Sequence, residues 1–151
     1  MPRDIRVFLD TSAVFAAMQS ESGGARLILK LGEAGALSLW IGHWVLQEAE
    51  AVLSRKSPAS KPYLALLLDR AQVHVGAGAG ADVLAQAQAV IDYLPDAQIV
   101  AEALASNPDY LVSFDRKHLV GNTRAAGLPF PIGTPADFLA WFRARLASEG
   151  E

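Results

Sequence analysis

The chain alternates short β-prone segments with segments of helical periodicity, and this alternation constrains its fold more than any other feature. Four short segments are typical of buried strands: residues 5–9, 37–41, 71–75 and 110–114. Six segments have helical periodicity: residues 25–33, 43–55, 59–70, 81–91, 96–105 and 135–146. We therefore expect an α/β protein, a three-layer α/β/α sandwich with a central, mostly parallel sheet. The proline-bearing segment 130–132 is expected to add an edge strand.

Length and composition narrow the class of protein. The 151 residues are enough for one α/β domain with a hydrophobic core and too few for two ordinary domains, so we expect a single domain over residues 1–151. The absence of cysteine excludes disulfides and thiolate-zinc sites and fits a cytoplasmic protein. Apolar segments are too short for a signal peptide or a membrane span. The net charge of −3 means that any nucleic-acid contact must be local.

Two aspartates follow predicted strands. Asp10 comes directly after the first strand and Asp115 directly after the fourth. Ligands of open α/β sheets bind beyond the carboxyl ends of the strands, where the strand order reverses. An aspartate at such a position can also cap the next helix. Two of them in equivalent positions favour a functional site over two unrelated caps.

Helical phase selects a glutamate for the same site. In segment 43–55, Glu48 lies three residues after Val45 and four before Val52, so it borders the apolar stripe of the helix. Glu50 falls on the polar side. The interior-facing acid of this helix is therefore expected to be Glu48.

A further aspartate is selected in segment 96–105. Asp96 precedes Ile99 by three residues and Val100 by four, on the face that should meet the sheet, whereas Glu102 is expected outside that arc. A first-turn acid can simply complement the helix dipole, which stabilises a helix by roughly 0.3 to 1 kcal/mol. The dipole explains an acid near the helix start, but it does not explain an inward direction.

Four inward carboxylates need compensation, because a buried carboxylate is costly unless it is paired, protonated or bound to metal. A divalent ion is the simplest compensation, and oxygen ligands favour Mg²⁺ or Mn²⁺ over Zn²⁺. The three histidines are scattered, and we interpret each as structural: His43, His74 and His118. Such a pocket can hold two ions roughly 3.5 to 4 Å apart, the arrangement that supports phosphodiester hydrolysis.

Four segments in this order resemble the PIN-domain family, and within it the VapC-like toxins. They are VFLDTS at 7–12, VLQE at 45–48, PDAQIVA at 95–101 and YLVSFD at 110–115. The resemblance implies an α/β/α sandwich, a metal-dependent endoribonuclease, a toxin role with a small antitoxin protein as partner, and a homodimer. It also implies that the metal-holding and catalytic acids are Asp10, Glu48, Asp96 and Asp115.

The resemblance implies smaller roles for two hydroxyls, since Ser12 and Ser113 stand where the family often carries Ser, Asn or Thr. The chain departs from some family members after Asp115, where Arg116 and Lys117 follow and no further acid is nearby. We therefore expect one firm metal site and a second, weaker position that is completed by the substrate phosphate.

The working hypothesis is hydrolysis of an RNA phosphodiester by a water molecule whose pKa the metal lowers, with Mg²⁺ or Mn²⁺ as cofactor. Arg116 and Lys117 are expected to contact a substrate phosphate. Two alternatives stay open. One is a binding module with a vestigial pocket, and the other is a phosphoacceptor domain in which Asp10 accepts the phosphoryl group.

Overall fold

The computed structural model describes residues 4–149, so residues 1–3 and 150–151 of the expected single domain lie outside the described part. The strands of this part are β1 (Arg6–Leu9), β2 (Ser38–Ile41), β3 (His74–Val75), β4 (Tyr110–Val112) and β5 (Ile132–Gly133). Its α-helices are α1 (Thr11–Gln19), α2 (Gly24–Glu33), α3 (His43–Lys56), α4 (Lys61–Arg70), α5 (Ala81–Gln88), α6 (Leu94–Ser106) and α7 (Pro135–Glu149). Short 3₁₀ helices occupy Pro58–Ser60 and Thr123–Gly127.

The five strands form one parallel sheet in the order β3-β2-β1-β4-β5. Val7 of β1 pairs with Leu39 on one side and with Tyr110 on the other. The chain thus winds outward from β1 in both directions, and the order reverses between β1 and β4. The carboxyl ends of these two neighbouring strands are where a ligand site of such a sheet is expected.

Helices cover both faces of the sheet, which confirms the expected three-layer α/β/α sandwich. Helices α5 and α6 pack against each other, and α2 packs against α1 and α7. The strands between these layers are fully buried at Val7, Phe8, Leu39, Leu111 and Val112. A strand that is buried on both faces needs a continuous run of apolar residues, and these strands have one.

Helix α3 packs against two other helices, α1 and α6. These two helices begin close to the reversal point, directly after Asp10 and just before Asp96. A side chain on the inner face of α3 therefore reaches the site from a third direction.

The final helix confirms the prediction that its aromatic residues belong to the core. Phe138 and Phe142 are buried, and Trp141 lies half-buried between Phe138 and the ring of Tyr110. The guanidinium of Arg145 lies 4.8 Å from the centroid of the Trp141 ring. Within residues 4–149, none of the helices combines the length and apolar character that crossing a membrane requires.

Candidate metal centre

Asp10 lies at the end of β1 and is the N-cap of α1. Its Oδ1 accepts hydrogen bonds from the backbone N–H of Ala13 at 3.0 Å and from the hydroxyl of Ser12 at 2.6 Å. The residue is 3% exposed, and burial raises the pKa of its carboxyl although hydrogen bonds from Ser113 and Ser12 oppose the shift. Capping and site membership are therefore compatible, because the cap uses one oxygen.

Asp115 is held in the same way at the end of β4. Its Oδ1 accepts the backbone N–H groups of Lys117 and His118, both at 2.9 Å, and thereby closes the turn that follows. Burial alone would raise the pKa of Asp115, but the His118 N–H, the Asp96 carboxyl and the Lys117 N–H together outweigh it and lower the pKa. Within the pair that Asp115 forms with Asp96, Asp115 is thus the carboxylate with the lower pKa.

Asp96, in the first turn of α6, is 7% exposed, as helical phase predicts. Burial, the hydrogen bond with Asp115 and the charges of Asp115, Asp10 and Glu48 raise its pKa to about 7. Its Oδ2 is buried and has no hydrogen-bond partner among residues 4–149. The repulsion between these acids and the unpartnered carboxylate oxygen mark the place where a cation would offset the cost of burying the charges.

Glu48 comes to the site from α3. It is half-buried, and its Oε2 accepts the hydroxyl of Thr11 at 3.2 Å, which ties α3 to the start of α1. Its neighbour on the polar side, Glu50, is exposed. The difference in burial follows the helical phase that the sequence indicates.

His118 joins the acids, although the sequence analysis interprets it as structural. One ligand atom each from Asp96, Asp115 and His118 lie within 4.8 Å of one another. The imidazole is half-buried and stacks on Tyr93, with ring centroids 4.7 Å apart and planes 20° apart. The sequence contains a signal for the position of His118. An aspartate whose side chain caps the turn that follows it brings the residue three positions later beside its carboxylate.

The two serines connect the strand ends. Ser12 donates its hydroxyl to Asp10 and accepts the backbone N–H of Phe114 at 3.0 Å, which links the segments after β1 and β4. Ser113 is fully buried, and its hydroxyl oxygen accepts the backbone N–H of Asp115 at 2.9 Å. Both hydroxyls therefore fix the positions of carboxylates.

The two cations after Asp115 lie at the rim of the site. Arg116 and Lys117 are both exposed. The pKa of Asp137 is lowered first by hydrogen bonds from Thr134 and also by the charge of Arg116, so Arg116 lies on the side of α7. Lys117 lies directly beside the acids, because its backbone N–H donates to Asp115.

Glu102 is where the prediction from helical phase was wrong. It is 3% exposed, and its Oε1 accepts the backbone N–H of Trp44 at 2.6 Å. Helix α3 begins after Gly42, which has no side chain to cap it, and Glu102 supplies that cap from α6. A Cβ at Gly42 would lie 2.9 Å from Glu102 atoms. The sequence analysis considered only the face of α6 that meets the sheet. It missed the role of Glu102 because α6 also packs against α3.

Solved structures share this architecture. PAE2754 from Pyrobaculum aerophilum superposes with a TM-score of 0.63 at 19% identity, covering 94% of this chain and 99% of that one. VapBC2 from Rickettsia felis, bound to a DNA fragment from its promoter, gives 0.61 at 18% identity, with 85% and 97% covered. VapC20 from Mycobacterium tuberculosis, described as a toxin that cleaves the sarcin-ricin loop, gives 0.52 at 22% identity, with 80% and 95% covered. The chain has a PIN-like fold. No family model and no curated protein sequence matches it.

The acids of this PIN-like fold suit a hard divalent ion. The donors are carboxylate oxygens with one imidazole nearby, and one carboxylate oxygen is buried without a partner. Oxygen-rich sites of this kind favour Mg²⁺ or Mn²⁺, and an imidazole is better tolerated by Mn²⁺ than by Mg²⁺. The residues present therefore fit a divalent metal ion.

Proposed function

We propose that this protein is a metal-dependent endoribonuclease that hydrolyses RNA phosphodiester bonds and acts as the toxin of a toxin-antitoxin pair. The observation that supports the proposal is the group formed by Asp96, Asp115 and His118, in which Asp96 Oδ2 is buried and unpartnered within residues 4–149. The charges of Asp10 and Glu48 also act on Asp96, although neither residue belongs to that group. The PIN-like fold shared with VapC20 and VapBC2 supports it.

The proposed metal ligands are Asp96 and Asp115, with Asp10 and Glu48 facing the same ion or a second one that the substrate completes. His118 is a further proposed ligand because it belongs to the same group of atoms. A bound Mg²⁺ or Mn²⁺ would neutralise these carboxylates, polarise the phosphoryl group and lower the pKa of a water molecule.

The residues of the chain then have separate tasks. The turns at Asp10 and Asp115 hold each carboxylate by Oδ1, so neither has to be reorganised when substrate binds. Glu48, fixed through Oε2 by Thr11, accepts the proton of the attacking water. Lys117 holds a substrate phosphate at the rim, and this contact weakens with salt.

The proposed partners are an RNA substrate, a small antitoxin protein and a second copy of the chain in a homodimer. The antitoxin is proposed because the similar VapBC2 is a complex bound to promoter DNA. A small protein encoded beside this chain and co-purifying with it would support the assignment.

The decisive experiment compares two acids on one helix. The purified protein is expected to cleave RNA with Mg²⁺ or Mn²⁺ and to stop when EDTA is added. Glu48→Gln should lower the cleavage rate roughly 100-fold or more, the scale of a lost general base. Glu50→Gln, the matched exposed control, should stay within about twofold of the wild type, since surface changes away from such features have small effects. Equal rates for both variants would refute the assignment of Glu48.

The alternatives make different predictions for the same protein. A binding module with a vestigial pocket would show neither tight Mn²⁺ binding nor cleavage. A phosphoacceptor would form a stable aspartyl phosphate on Asp10 with a small phosphodonor. Asp10 is only 3% exposed, which favours the nuclease over a phosphoacceptor.

A further inference from the structure

Arg26 is a buried arginine in the first turn of α2, and it is 8% exposed. Its hydrogen bonds within residues 4–149 go to neutral groups. Nε donates to the carbonyl of Ala17 at 2.8 Å, and Nη2 donates to the hydroxyl of Tyr63 at 2.5 Å. The guanidinium carbon also lies 5.7 Å from the centroid of the Tyr63 ring. A buried charge is costly unless an opposite charge compensates it.

The helix dipoles around Arg26 compensate its charge only in part. Ala17 lies in the last turn of α1, and its carbonyl belongs to the negative end of that helix, which favours a cation. Arg26 itself stands near the positive end of α2, where a cation is unfavourable. These two effects oppose each other, and the guanidinium therefore still lacks a counter-charge.

A cavity of about 130 Å³ lies beside this guanidinium, between α2 and α4. The residues that line it are Arg26, Leu29, Lys30, Glu33, Leu67, Arg70 and Ala71. The Nη1 atom of Arg26 has no hydrogen-bond acceptor among residues 4–149. It is not sealed from solvent either, since Asp96 Oδ2 is the one sealed side-chain atom without a partner in that part of the chain. Nη1 is therefore free for a ligand that enters the cavity.

The charges around the cavity favour an anion with more than one negative charge. Three of its lining residues are cations and one, Glu33, is an acid, although the whole chain has a net charge of −3. Lys30 and Arg70 lie in the last turns of their helices, where the helix dipole explains a cation, but the dipole does not explain Arg26. A phosphate group carries a charge of about −1.5 to −2 at pH 7, so it matches the excess of cations better than a single carboxylate does.

We propose that this cavity is a phosphate site in which Arg26 binds one phosphate group, assisted by the exposed cations Lys30 and Arg70. A guanidinium is suited to this task because its planar fork can offer parallel N–H groups to phosphate oxygens. The cavity is smaller than the roughly 300 Å³ at which pockets for whole small molecules begin. It therefore accepts inorganic phosphate, or the terminal phosphate of a larger molecule whose remainder stays outside.

The phosphate site is separate from the candidate metal centre. None of the four acids Asp10, Glu48, Asp96 and Asp115 lines the cavity, and neither does His118. The proposal therefore does not depend on the ribonuclease function, and each of the two can fail without the other.

Calorimetric titration of the whole protein with inorganic phosphate tests the site. EDTA is present so that no metal ion can hold phosphate at the acids, and NaCl keeps the ionic strength constant. We expect one phosphate to bind per chain at pH 7.5. Titration with 5′-AMP identifies the source: similar affinity indicates a terminal phosphate, and binding of inorganic phosphate alone indicates the free anion. Equal affinity for acetate would instead show a carboxylate site and contradict the proposal.

Two variants locate the bound phosphate. Arg26→Gln removes the buried charge and should weaken phosphate binding roughly 10- to 150-fold, the range for a hydrogen bond to a charged group. Arg70→Gln changes an exposed cation and should weaken binding roughly two- to fivefold, as the loss of an exposed ion pair does. Arg143→Gln on α7 is the matched control, because Arg143 is exposed and lies outside the cavity. It should bind phosphate as the wild type does.

Arg26 connects α1, α2 and α4, so urea unfolding must show that Arg26→Gln is folded. If it is not, Arg70→Gln decides the question, because it leaves the contacts of Arg26 intact. Wild-type affinity in the folded Arg26→Gln variant, or in Arg70→Gln where Arg26→Gln does not fold, would overturn the phosphate site. Absence of phosphate binding by the wild type in EDTA would overturn it as well. RNA cleavage with Mn²⁺, measured separately, reports on the nuclease alone.

Discussion

At the scale of single residues, the site contains carboxyls that burial and mutual repulsion drive apart in pKa. Backbone N–H groups anchor Asp115 and help to lower its pKa, whereas burial and the neighbouring acids raise the pKa of Asp96 to about 7. Pairs of acids separated in this way are typical of sites that exchange a proton for a metal ion. The metal-free protein should reveal this conflict through the pH dependence of its stability.

The first prediction concerns that pH dependence. An aspartate ordinarily has a pKa of 3.8, and burial together with the neighbouring acids raises the pKa of Asp96 to about 7 in the folded protein. The folded state therefore binds the proton more tightly, and the stability it gains is complete below pH 4 and is lost as the pH rises through 7. Without metal, Asp96→Asn should remove this loss and raise the free energy of unfolding at pH 8 by on the order of 2 kcal/mol. Urea unfolding at pH 5 and pH 8, with EDTA, measures it.

A variant whose stability keeps the wild-type pH dependence would show that Asp96 is not the group that retains the proton. Asp92→Asn is the matched control, because Asp92 is exposed and pairs with Arg124 at the surface. It should leave the pH dependence unchanged, since exposed ion pairs contribute about 0 to 1 kcal/mol.

Helical phase predicted the burial of some of these residues and missed that of others. It separated Glu48 from Glu50 and placed Asp96 inward, because in both cases the nearest apolar neighbours of the acid mark the buried face. It failed for Glu102, whose burial depends on a second helix that no local pattern reveals. The proximity of His118 to Asp115 depends on the cap of a turn, which hydrophobic periodicity does not report.

At the scale of elements, α3 is the piece whose placement most affects the site. It packs against both α1 and α6, carries Glu48, and begins with an N-terminus that Glu102 caps from α6. Two backbone N–H groups, those of Trp44 and His43, donate to the Glu102 carboxylate and partly offset the rise in pKa that its burial causes. Glu102 therefore ties the start of α3, the helix that carries Glu48, to α6, the helix that carries Asp96.

The second prediction follows from this cap. Glu102→Ala should lower the free energy of unfolding by roughly 0.5 to 2 kcal/mol, the cost of losing a helix cap, and should also weaken Mn²⁺ binding through displacement of Glu48. Glu102→Gln keeps an acceptor oxygen and should recover most of both properties. Urea unfolding and Mn²⁺ titration report the two effects independently. Loss of stability with full Mn²⁺ affinity would show a cap without a positioning role.

The order of elements was predictable from sequence except for α1, which is not among the six segments of predicted helical periodicity, and several boundaries differ. The predicted strands 71–75 and 110–114 are shorter in the structure, where β3 is His74–Val75 and β4 is Tyr110–Val112. A strand ends where its neighbour no longer offers backbone hydrogen bonds. The length of each strand therefore depends on the strands beside it in the sheet. The edge position of β5 was predicted from its proline, since Pro131 donates no hydrogen bond.

At the scale of the whole molecule, the sheet order brings together parts of the chain that are far apart in sequence. Asp10 and Asp115 lie at the ends of neighbouring strands, while Glu48 and Asp96 arrive on two helices. Sequence alone indicated that strand ends would carry the site, but the strand order that makes β1 and β4 neighbours comes from long-range pairing. An unfolded chain would not keep these four carboxylates close together.

The third prediction follows from that separation. Because only the folded state presents the complete ligand set, Mn²⁺ at 100 times its Kd should stabilise the protein by about 2.7 kcal/mol. This corresponds to a rise in Tm of roughly 5 to 11 °C for a chain of this size. Asp115→Asn should abolish most of the rise, whereas Glu50→Gln should retain it. Thermal unfolding at pH 7.5 with and without Mn²⁺ measures the shift, and an unchanged wild-type Tm at saturating Mn²⁺ would contradict a metal site built from all four elements.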